Sequence, residues 1–329
     1  MSILLLSKAD VQRAITMREA IEVVKEAFAQ LSTGQATVPL RLPLEVPAQE
    51  AVTLFMPAYL AASGGMGAKV VSVFPHNAER GLPTIHAVVV LVDSTTGQPQ
   101  ALLDGTYLTA LRTGAASGAA TDFLARPDAR TMAIFGAGAQ GRTQLAAVCA
   151  VRDIERAWVY DVNRAAAERY VQELCARPGM PPRLDVAASP AAAVREADVI
   201  CTATTSRSPV FDSGDVPPGT HVNAVGAFTS EMQEVDVAGL RGVRIVVDSR
   251  AACLAEAGDL IIPLRRGLIP AAEAWTELGE IAAGQAPGRR SAEEITYFKS
   301  VGNAVQDVSV GQAVLAAARR LGLGVEVEL

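Results

Sequence analysis

A glycine-rich turn at residues 136–141 constrains the fold of this chain more than any other stretch. The short apolar run Met132–Phe135 leads directly into Gly136-Ala137-Gly138-Ala139-Gln140-Gly141, and an alanine-rich helical pattern follows. Gly136 permits a tight turn out of a strand, Gly138 lets backbone amides approach a pyrophosphate, and Gly141 allows close packing of helix on strand. The spacing predicts a dinucleotide site at a helix N-terminus, and a purely structural turn is the alternative.

The next predicted strand ends in a carboxylate. Asp161 closes the apolar run Ala157–Tyr160, about 20 residues after the glycine turn, where an acidic side chain meets the adenosine ribose in dinucleotide folds. Because this carboxylate would repel a 2′-phosphate, we expect NAD as the cofactor. Arg164 follows shortly and could cradle that phosphate, so NADP stays open as the alternative. The remaining residues that we expect to bind the cofactor are Ala139, Gln140, Thr204 and Val225.

Strands and helices alternate along the middle of the chain. Apolar runs that are typical of strands are found at residues 131–135, 157–161, 184–187, 199–203, 221–226 and 244–248. Helical patterns lie between the early members of this series, and one of them opens with Ser189-Pro190, a recognised helix start. Such alternation predicts a Rossmann-type, doubly wound parallel sheet, and therefore an α/β fold class.

The first third of the chain has a different organisation. Thr16 and Glu19 form a predicted capping box before a helix, and β-type runs follow at residues 38–46, 51–56, 69–74 and 84–92. The turn at residues 94–97 predicts an antiparallel hairpin with Pro99–Leu103, and Tyr107–Leu124 reads as a helix. We therefore expect an α+β domain over residues 1–125, which the C-terminal helix in residues 303–329 rejoins, and a Rossmann domain over residues 126–302.

Composition and charge exclude several classes of function. The net charge is −6 without a Lys/Arg block, so we expect no nucleic-acid partner. The chain lacks an apolar run near the roughly 18 residues of a membrane span, and its N-terminus has no basic region typical of a signal peptide. The four cysteines are scattered and the three histidines are widely separated, which predicts reduced thiols and no metal site. We expect a cytoplasmic protein.

Cations in apolar surroundings are the candidates for substrate binding in the first domain. Arg41 lies in Pro39–Pro43, Lys69 precedes the run Val70–Val73, and Arg112 is the lone cation of the helix Tyr107–Leu124. A buried cation is costly unless it meets an anion, which is here either an anionic substrate or an internal Asp or Glu. Thr84 opens an apolar strand after Gly81-Leu82-Pro83 and adds a polar group.

Several short motifs in a fixed order resemble the ornithine cyclodeaminase/mu-crystallin family over nearly the full length. They are Leu54-Phe55-Met56-Pro57, Gly67-Ala68-Lys69, Gly81-Leu82-Pro83-Thr84, Ala110-Leu111-Arg112-Thr113, Gly136-Ala137-Gly138-Ala139-Gln140, Asn223-Ala224-Val225-Gly226, and Phe298-Lys299-Ser300-Val301-Gly302 with Gln306-Asp307. The resemblance implies NAD(P)(H)-dependent chemistry on amino or imino acids. It also implies a homodimer that forms through the non-Rossmann domain.

The resemblance also assigns roles to individual side chains. It gives Arg41 and Arg112 to the substrate carboxylate, a task that suits the guanidinium fork. Lys69 becomes the group beside the reacting nitrogen, and its apolar neighbours predict a lowered pKa that suits proton transfer. Thr84 becomes a polar contact nearby, while Asp307 is either a substrate-side or a structural residue.

The reaction depends on the loop after the Asn-Ala-Val-Gly turn. In the cyclodeaminases of this family an Asp follows that turn, whereas this chain has Phe228, which offers an ammonium only a cation–π contact. Glu231 and Glu234 follow closely, and the sequence does not show whether either faces the site. The departure favours a ketimine reductase acting on a Δ1-pyrroline-2-carboxylate-like substrate, or an alanine-dehydrogenase-like enzyme. Ornithine cyclodeaminase and a non-catalytic, crystallin-like binding protein are the alternatives.

Overall fold

The computed structural model describes residues 2–328, which form two compact units. Unit 1 runs from the N-terminal strand to Arg112 and resumes at Asn303, whereas unit 2 comprises Thr113–Gly302. The elements before the glycine turn are β1 (Ser2–Leu6), α1 (Lys8–Ala14), α2 (Met17–Ser32), β2 (Ala36–Thr37), β3 (Leu42–Val46), β4 (Ala51–Leu60), β5 (Gly65–Val73), β6 (Ile85–Asp93), β7 (Pro99–Asp104) and α3 (Gly105–Leu124).

The remaining elements belong to unit 2 and to the return of the chain to unit 1. Those of unit 2 are β8 (Thr131–Phe135), α4 (Ala139–Val151), β9 (Arg156–Tyr160), α5 (Arg164–Leu174), β10 (Arg183–Val186), α6 (Pro190–Val194), β11 (Val199–Thr202), β12 (His221–Ala224), β13 (Arg244–Val247), α7 (Arg250–Glu256), α8 (Gly258–Arg265), β14 (Thr276–Glu277), α9 (Leu278–Ala282) and β15 (Thr296–Lys299). The chain then forms α10 (Ala304–Leu321) and β16 (Val325–Glu328) in unit 1.

Unit 1 is an α+β unit built on a mixed sheet with the order β16-β1-β7-β6-β5-β4-β2, to which β3 adds beside β4. The predicted hairpin of β6 and β7 is confirmed as an antiparallel pair. The capping box of Thr16 and Glu19 is also confirmed at the start of α2. Helix α10 packs on α2 and on the β4–β5–β6 surface, so the C-terminal helix covers the central strands of this sheet.

Strand β1 was not predicted, although it lies inside the sheet of unit 1. It pairs in parallel with β7 and antiparallel with β16. Its apolar run is short and no turn signal flanks it in the sequence, so the strand depends on partners that are remote along the chain.

Unit 2 is the predicted doubly wound parallel sheet. Its strand order is β10-β9-β8-β11-β12-β15-β13-β14, and every described pair is parallel. All residues of β11, β12, β13 and β15 are buried, because helices and loops cover both faces of the sheet. From β8 the chain continues to β9 on one side of β8 and later returns to β11 on its other side. The carboxyl ends of β8 and β11 therefore form the switch point, which is where α/β sheets bind ligands.

The passage from unit 1 to unit 2 falls inside α3, earlier than the boundary that the sequence indicates after residue 125. The second half of this helix belongs with unit 2 because its side chains and backbone contact that unit directly. Gly114 leaves no space for a side chain against the backbone of Thr143, and Thr121 accepts a hydrogen bond from Asn223. The break at Pro127 ends the helix but does not separate the units.

Candidate active site

The glycine turn has the geometry that phosphate binding requires. Gly136 has a φ of +103°, and a side chain there would overlap the carbonyl of Ala203. Gly141 packs directly on the carbonyl of Gly136, which leaves no space for a Cβ. By contrast, a Cβ on Gly138 would meet nothing within 4 Å, so the start of α4 is open to a ligand. The backbone N–H groups of this helix start favour an anion.

A cavity of about 530 Å³ opens at the switch point of the unit 2 sheet. It is lined by Phe135, Gly136, Gly138, Tyr160, Asp161, Val162, Pro190, Ala203, Thr204, Thr205, Ser206, Ser208, Pro209 and Val210. Asp161 accepts hydrogen bonds from the N–H groups of Ala137 at 2.9 Å and Asn163 at 2.8 Å, which fix its carboxylate between the glycine turn and α5. A cavity at this edge of a doubly wound sheet lies where such folds bind dinucleotides.

Some residues that the sequence assigns to the cofactor lie elsewhere in unit 2. The Arg164 side chain is exposed, pairs with Glu168 on α5 at 3.0 Å, and does not line this cavity. Ala139 and Gln140 belong to the first turn of α4, and Val225 follows β12. Phe228, the predicted substrate contact, is half-buried in the loop after β12. Thr204 does line the cavity.

Unit 1 brings three of the predicted side chains together in a buried cluster. Lys69 Nζ lies 3.0 Å from Oδ1 and 2.9 Å from Oδ2 of Asp307, and Arg112 Nε lies 3.0 Å from the same Oδ1. Lys69 projects from β5 towards α10, because alternate β5 side chains face that helix. Asp307 lies in the first turn of α10, where a negative charge is favoured.

Gln306 also belongs to this cluster and was not recognised as a site residue from the sequence. Its Oε1 accepts from Arg112 Nη1 and from the backbone N–H of Asn303, so it both orients Arg112 and caps α10. Its Nε2 is buried and has no hydrogen-bond partner within the described residues. The capping-box spacing with Asn303 predicts the helix start, but it carries no signal for the contact with Arg112.

The other two predicted substrate residues differ in their position. Arg41 immediately precedes β3, whose register with β4 and β5 places it beside the row of Lys69. Thr84 is exposed just before β6, whereas Lys69 pairs with Val89 on that strand. Five residues of strand span about 17 Å, so Thr84 lies outside the buried cluster.

The pKa of Lys69 is lowered to about 7, because burial and, after it, the positive charges of Arg112 and Arg41 lower it more than Asp307 raises it. A lysine whose pKa is close to 7 can both give and accept a proton at physiological pH. When Lys69 is protonated, Lys69 and Arg112 together carry more positive charge than Asp307 neutralises. This excess predicts an anionic ligand for the cluster.

Neither a metal centre nor a membrane segment is found among residues 2–328. No group of three or more His, Cys, Asp or Glu side chains in that range could hold an ion. The helices in the same range are too short or too polar to cross a bilayer.

Comparison with known proteins identifies the family. The chain matches the sequence model of the ornithine cyclodeaminase/mu-crystallin family over residues 1–320. It is 39% identical to a Δ1-pyrroline-2-carboxylate reductase of Bacillus cereus, over 99% of both chains. This protein therefore belongs to the ornithine cyclodeaminase/mu-crystallin family.

Two solved structures share the whole fold. The Δ1-pyrroline-2-carboxylate reductase of Thermococcus litoralis, in complex with NADH and L-proline, superimposes with a TM-score of 0.94 at 43% identity, and the match covers 99% of this chain and 100% of that one. An archaeal alanine dehydrogenase, a dimer with bound NAD, gives a TM-score of 0.92 at 37% identity over 100% of both chains. These matches bear out the fold class and the family that the sequence predicts.

Proposed function

We propose that this protein is an NAD(P)H-dependent reductase that converts a cyclic α-imino acid of the Δ1-pyrroline-2-carboxylate type into the amino acid. The observation that carries the proposal is the buried cluster of Lys69, Asp307 and Arg112, in which a lysine with a pKa of about 7 lies beside excess positive charge. Family membership and the reductase from Thermococcus litoralis support the same assignment. An alanine-dehydrogenase-like reaction is the second candidate, which the archaeal relative favours.

In this proposal the arginines hold the substrate carboxylate. Arg112 is anchored by Asp307 and Gln306, so its guanidinium is fixed before the substrate arrives. Arg41 adds a second positive charge from the strand edge near Lys69. Planar guanidinium groups bind carboxylates in two parallel hydrogen bonds, which fixes both the position and the orientation of the imino acid.

Lys69 acts at the nitrogen of the substrate. NADH, when bound, would supply the hydride for the α-carbon of the C=N bond. The protonated Lys69 gives its proton to the nitrogen, so the imine becomes an amine and Lys69 is left neutral. In the reverse direction neutral Lys69 takes the proton from the amine. Asp307 holds Nζ in place through both of its oxygens.

The cofactor is proposed to bind in unit 2 at the cavity of the glycine turn. The open space at Gly138 fits a pyrophosphate, and Asp161 lies where a ribose hydroxyl would donate to it. NAD is favoured over NADP because Asp161 lines the cavity, whereas Arg164 is paired with Glu168 outside it. The comparison of KM for NADH and NADPH tests this preference, and a lower KM for NADPH would contradict it.

Ornithine cyclodeaminase is the runner-up to these two reductive reactions, and a non-catalytic binding role is the remaining candidate. Cyclisation of ornithine needs an anion for the distal ammonium, and Phe228 offers none. A pure binding protein has no use for a lysine whose pKa lies near neutrality. Both alternatives make predictions that differ from those of a reductase.

One assay separates the four candidates. Purified protein is given NADH with Δ1-pyrroline-2-carboxylate, NADH with pyruvate and ammonia, or NAD with L-ornithine, and both the nicotinamide absorbance and the amino-acid product are measured. We expect the cyclic imine to be reduced with the highest kcat/KM and L-proline to accumulate. Proline formed from ornithine at a comparable rate would reverse the ranking. No turnover with any of the three would favour the binding role.

The assembly and the location are further parts of the proposal. We propose a homodimer that forms through unit 1, because its sheet exposes apolar side chains at Leu42, Leu44, Phe55 and Val88, and because the archaeal relative is a dimer. Light scattering of the purified protein tests the mass. We also propose a cytoplasmic location, since all four cysteines are free thiols, as is typical of a reducing compartment.

A further inference from the structure

Glu234 is a fully buried carboxylate that joins the ends of two neighbouring strands of unit 2. Its Oε1 accepts hydrogen bonds from the backbone N–H of Thr204 at 2.6 Å and from the Thr204 hydroxyl at 2.8 Å. Its Oε2 accepts from the N–H groups of Gly226 at 2.6 Å and Ala227 at 3.0 Å, and from the Thr202 hydroxyl at 3.0 Å. One side chain therefore fixes the segments that leave β11 and β12.

The two segments are in direct contact around this carboxylate. A Cβ on Gly226 would overlap both the backbone of Thr204 and Oε1 of Glu234, so a larger residue would force the segments apart. Five donors converge on the two oxygens of Glu234. An amide in place of the carboxylate would turn an N–H₂ group towards at least two of these donors.

The position of Glu234 is itself set by a buried network. The backbone N–H groups of Glu234 and Val235 donate to Oδ1 of Asp259 at 2.6 and 3.1 Å. Oδ2 of Asp259 accepts from Lys299 Nζ at 2.7 Å and from the Tyr297 hydroxyl at 3.2 Å. Since burying charges costs more than apolar packing of the same volume, a network of this kind needs a reason other than stability.

The segments that Glu234 joins carry residues of the proposed site. Thr204 lines the cavity beside the glycine turn, and Val225 and Phe228 lie in the segment after β12. We propose that Glu234 is a positioning residue, which holds these two segments in the arrangement that the dinucleotide and the imino acid require. The inference rests on the proposed function, since it assigns Glu234 to the same reaction.

Glu234→Gln tests the proposal with almost no change in volume. Because misplacing a site by about 1 Å can lower a rate by about 10²-fold, we expect kcat/KM for NADH to fall by about that factor, through both a higher KM and a lower kcat. The Kd for NADH, measured by quenching of tryptophan fluorescence well below the Tm of the variant, should rise in parallel.

Two control variants separate positioning from stability. Glu231 is exposed in the same loop and hydrogen-bonds to Ser230, so Glu231→Gln should leave both the Kd and kcat unchanged. Asp198 accepts from the N–H groups of Arg130 and Thr131, at the amino ends of β8 and β11. Asp198→Asn should therefore lower the Tm without raising the Kd for NADH.

If Glu234→Gln does not fold, Thr202→Val takes its place as the test. This variant removes only one of the five donors to Glu234, so we expect it to fold. Loss of one hydrogen bond predicts a decrease in kcat/KM of about 2- to 10-fold. Suppose that the wild type binds NADH and reduces the imine. If Glu234→Gln and Thr202→Val then have the same kcat/KM and Kd for NADH as Glu231→Gln, the positioning role is wrong and the proposed function stands. If the wild type neither binds NADH nor reduces an imine, the proposed function is wrong, and the positioning role falls with it.

Discussion

Both units of this protein bury a lysine against an aspartate, but the surroundings of the two pairs are opposite. In unit 1, Arg112 also contacts Asp307, so two cations, Lys69 and Arg112, share one carboxylate. In unit 2, Lys299 and Asp259 lie beside buried Glu234, so carboxylates outnumber the cation. Both clusters are almost inaccessible to solvent.

The difference indicates which cluster can take a ligand. The carboxylates of unit 2 are satisfied by Lys299, by hydroxyls and by backbone N–H groups, all of which belong to that unit. In the cluster of unit 1, the positive charges of Arg112 and protonated Lys69 exceed the single negative charge of Asp307, and Nε2 of Gln306 has no hydrogen-bond partner among the described residues. A buried charge does not by itself mark an active site, whereas an unbalanced set of charges and donors indicates a missing ligand.

Lys69→Met should have the largest effect on catalysis and little effect on stability. The variant loses the proton donor, so we expect kcat for imine reduction to fall by about 10²- to 10⁴-fold. Asp307 keeps its contact with Arg112, so no buried carboxylate loses its last cation, and we expect the free energy of unfolding to fall by less than the roughly 3–5 kcal/mol that breaking a buried pair costs. Steady-state kinetics and urea unfolding measure the two quantities. Retention of more than a tenth of the wild-type kcat would contradict the role of Lys69.

Lys299→Met should have the largest effect on stability. Two buried carboxylates, Asp259 and Glu234, would lose their nearest cation, so we expect the free energy of unfolding to fall by about 3–5 kcal/mol. Urea unfolding of this variant beside Lys69→Met gives the comparison directly. If the two variants were equally stable, the distinction between the two clusters would not hold.

Asp307→Asn should have the smallest effect on kcat at low pH and should shift the pH profile. Burial and the charge of Arg112 lower the pKa of Lys69 to about 7, whereas Asp307 raises it, so the variant lowers this pKa further. Reduction requires protonated Lys69. We therefore expect kcat/KM to fall with rising pH through about 7 in the wild type, and at lower pH in the variant.

The difference between the two profiles removes the titration of the substrate itself, which is common to both. Glu79→Gln, at an exposed carboxylate of the same unit, is the control and should leave the profile unchanged. An inflection at the same pH in Asp307→Asn and the wild type would show that Lys69 does not titrate in this reaction.

The sequence predicts those features whose physical cause is local. The glycine turn, the capping box of α2 and the hairpin of β6 and β7 each depend on residues within a few positions of one another. The parallel sheet is predicted from repeated apolar runs, and each of these runs can be recognised without knowing its partners in the sheet. Their apolar surroundings indicate Lys69 and Arg112 as candidates, whereas Asp307 is a candidate only because it matches a motif of the family.

The contacts that assemble the site could not be predicted, because they join residues that are far apart in the chain. Lys69 and Asp307 are separated by 238 positions, and Lys299 and Asp259 by 40. Spacing rules do not reach that far, so the role of Glu234 stayed undecided and Gln306 was missed. Strand β1 was missed for the same reason, since its partners β7 and β16 lie at remote positions.

The most direct test of the account is to remove the carboxylate from the substrate. Reduction by NADH of Δ1-pyrroline-2-carboxylate is compared with that of Δ1-pyrroline, which has the same C=N ring and no anion. Because a hydrogen bond to a charged group contributes about 1.5–3 kcal/mol, loss of a bidentate contact with Arg112 predicts a decrease in kcat/KM of about 10²-fold or more. Equal kcat/KM values for the two imines would contradict the claim that the positive charges of the buried cluster of Lys69, Arg112 and Asp307 bind a substrate carboxylate.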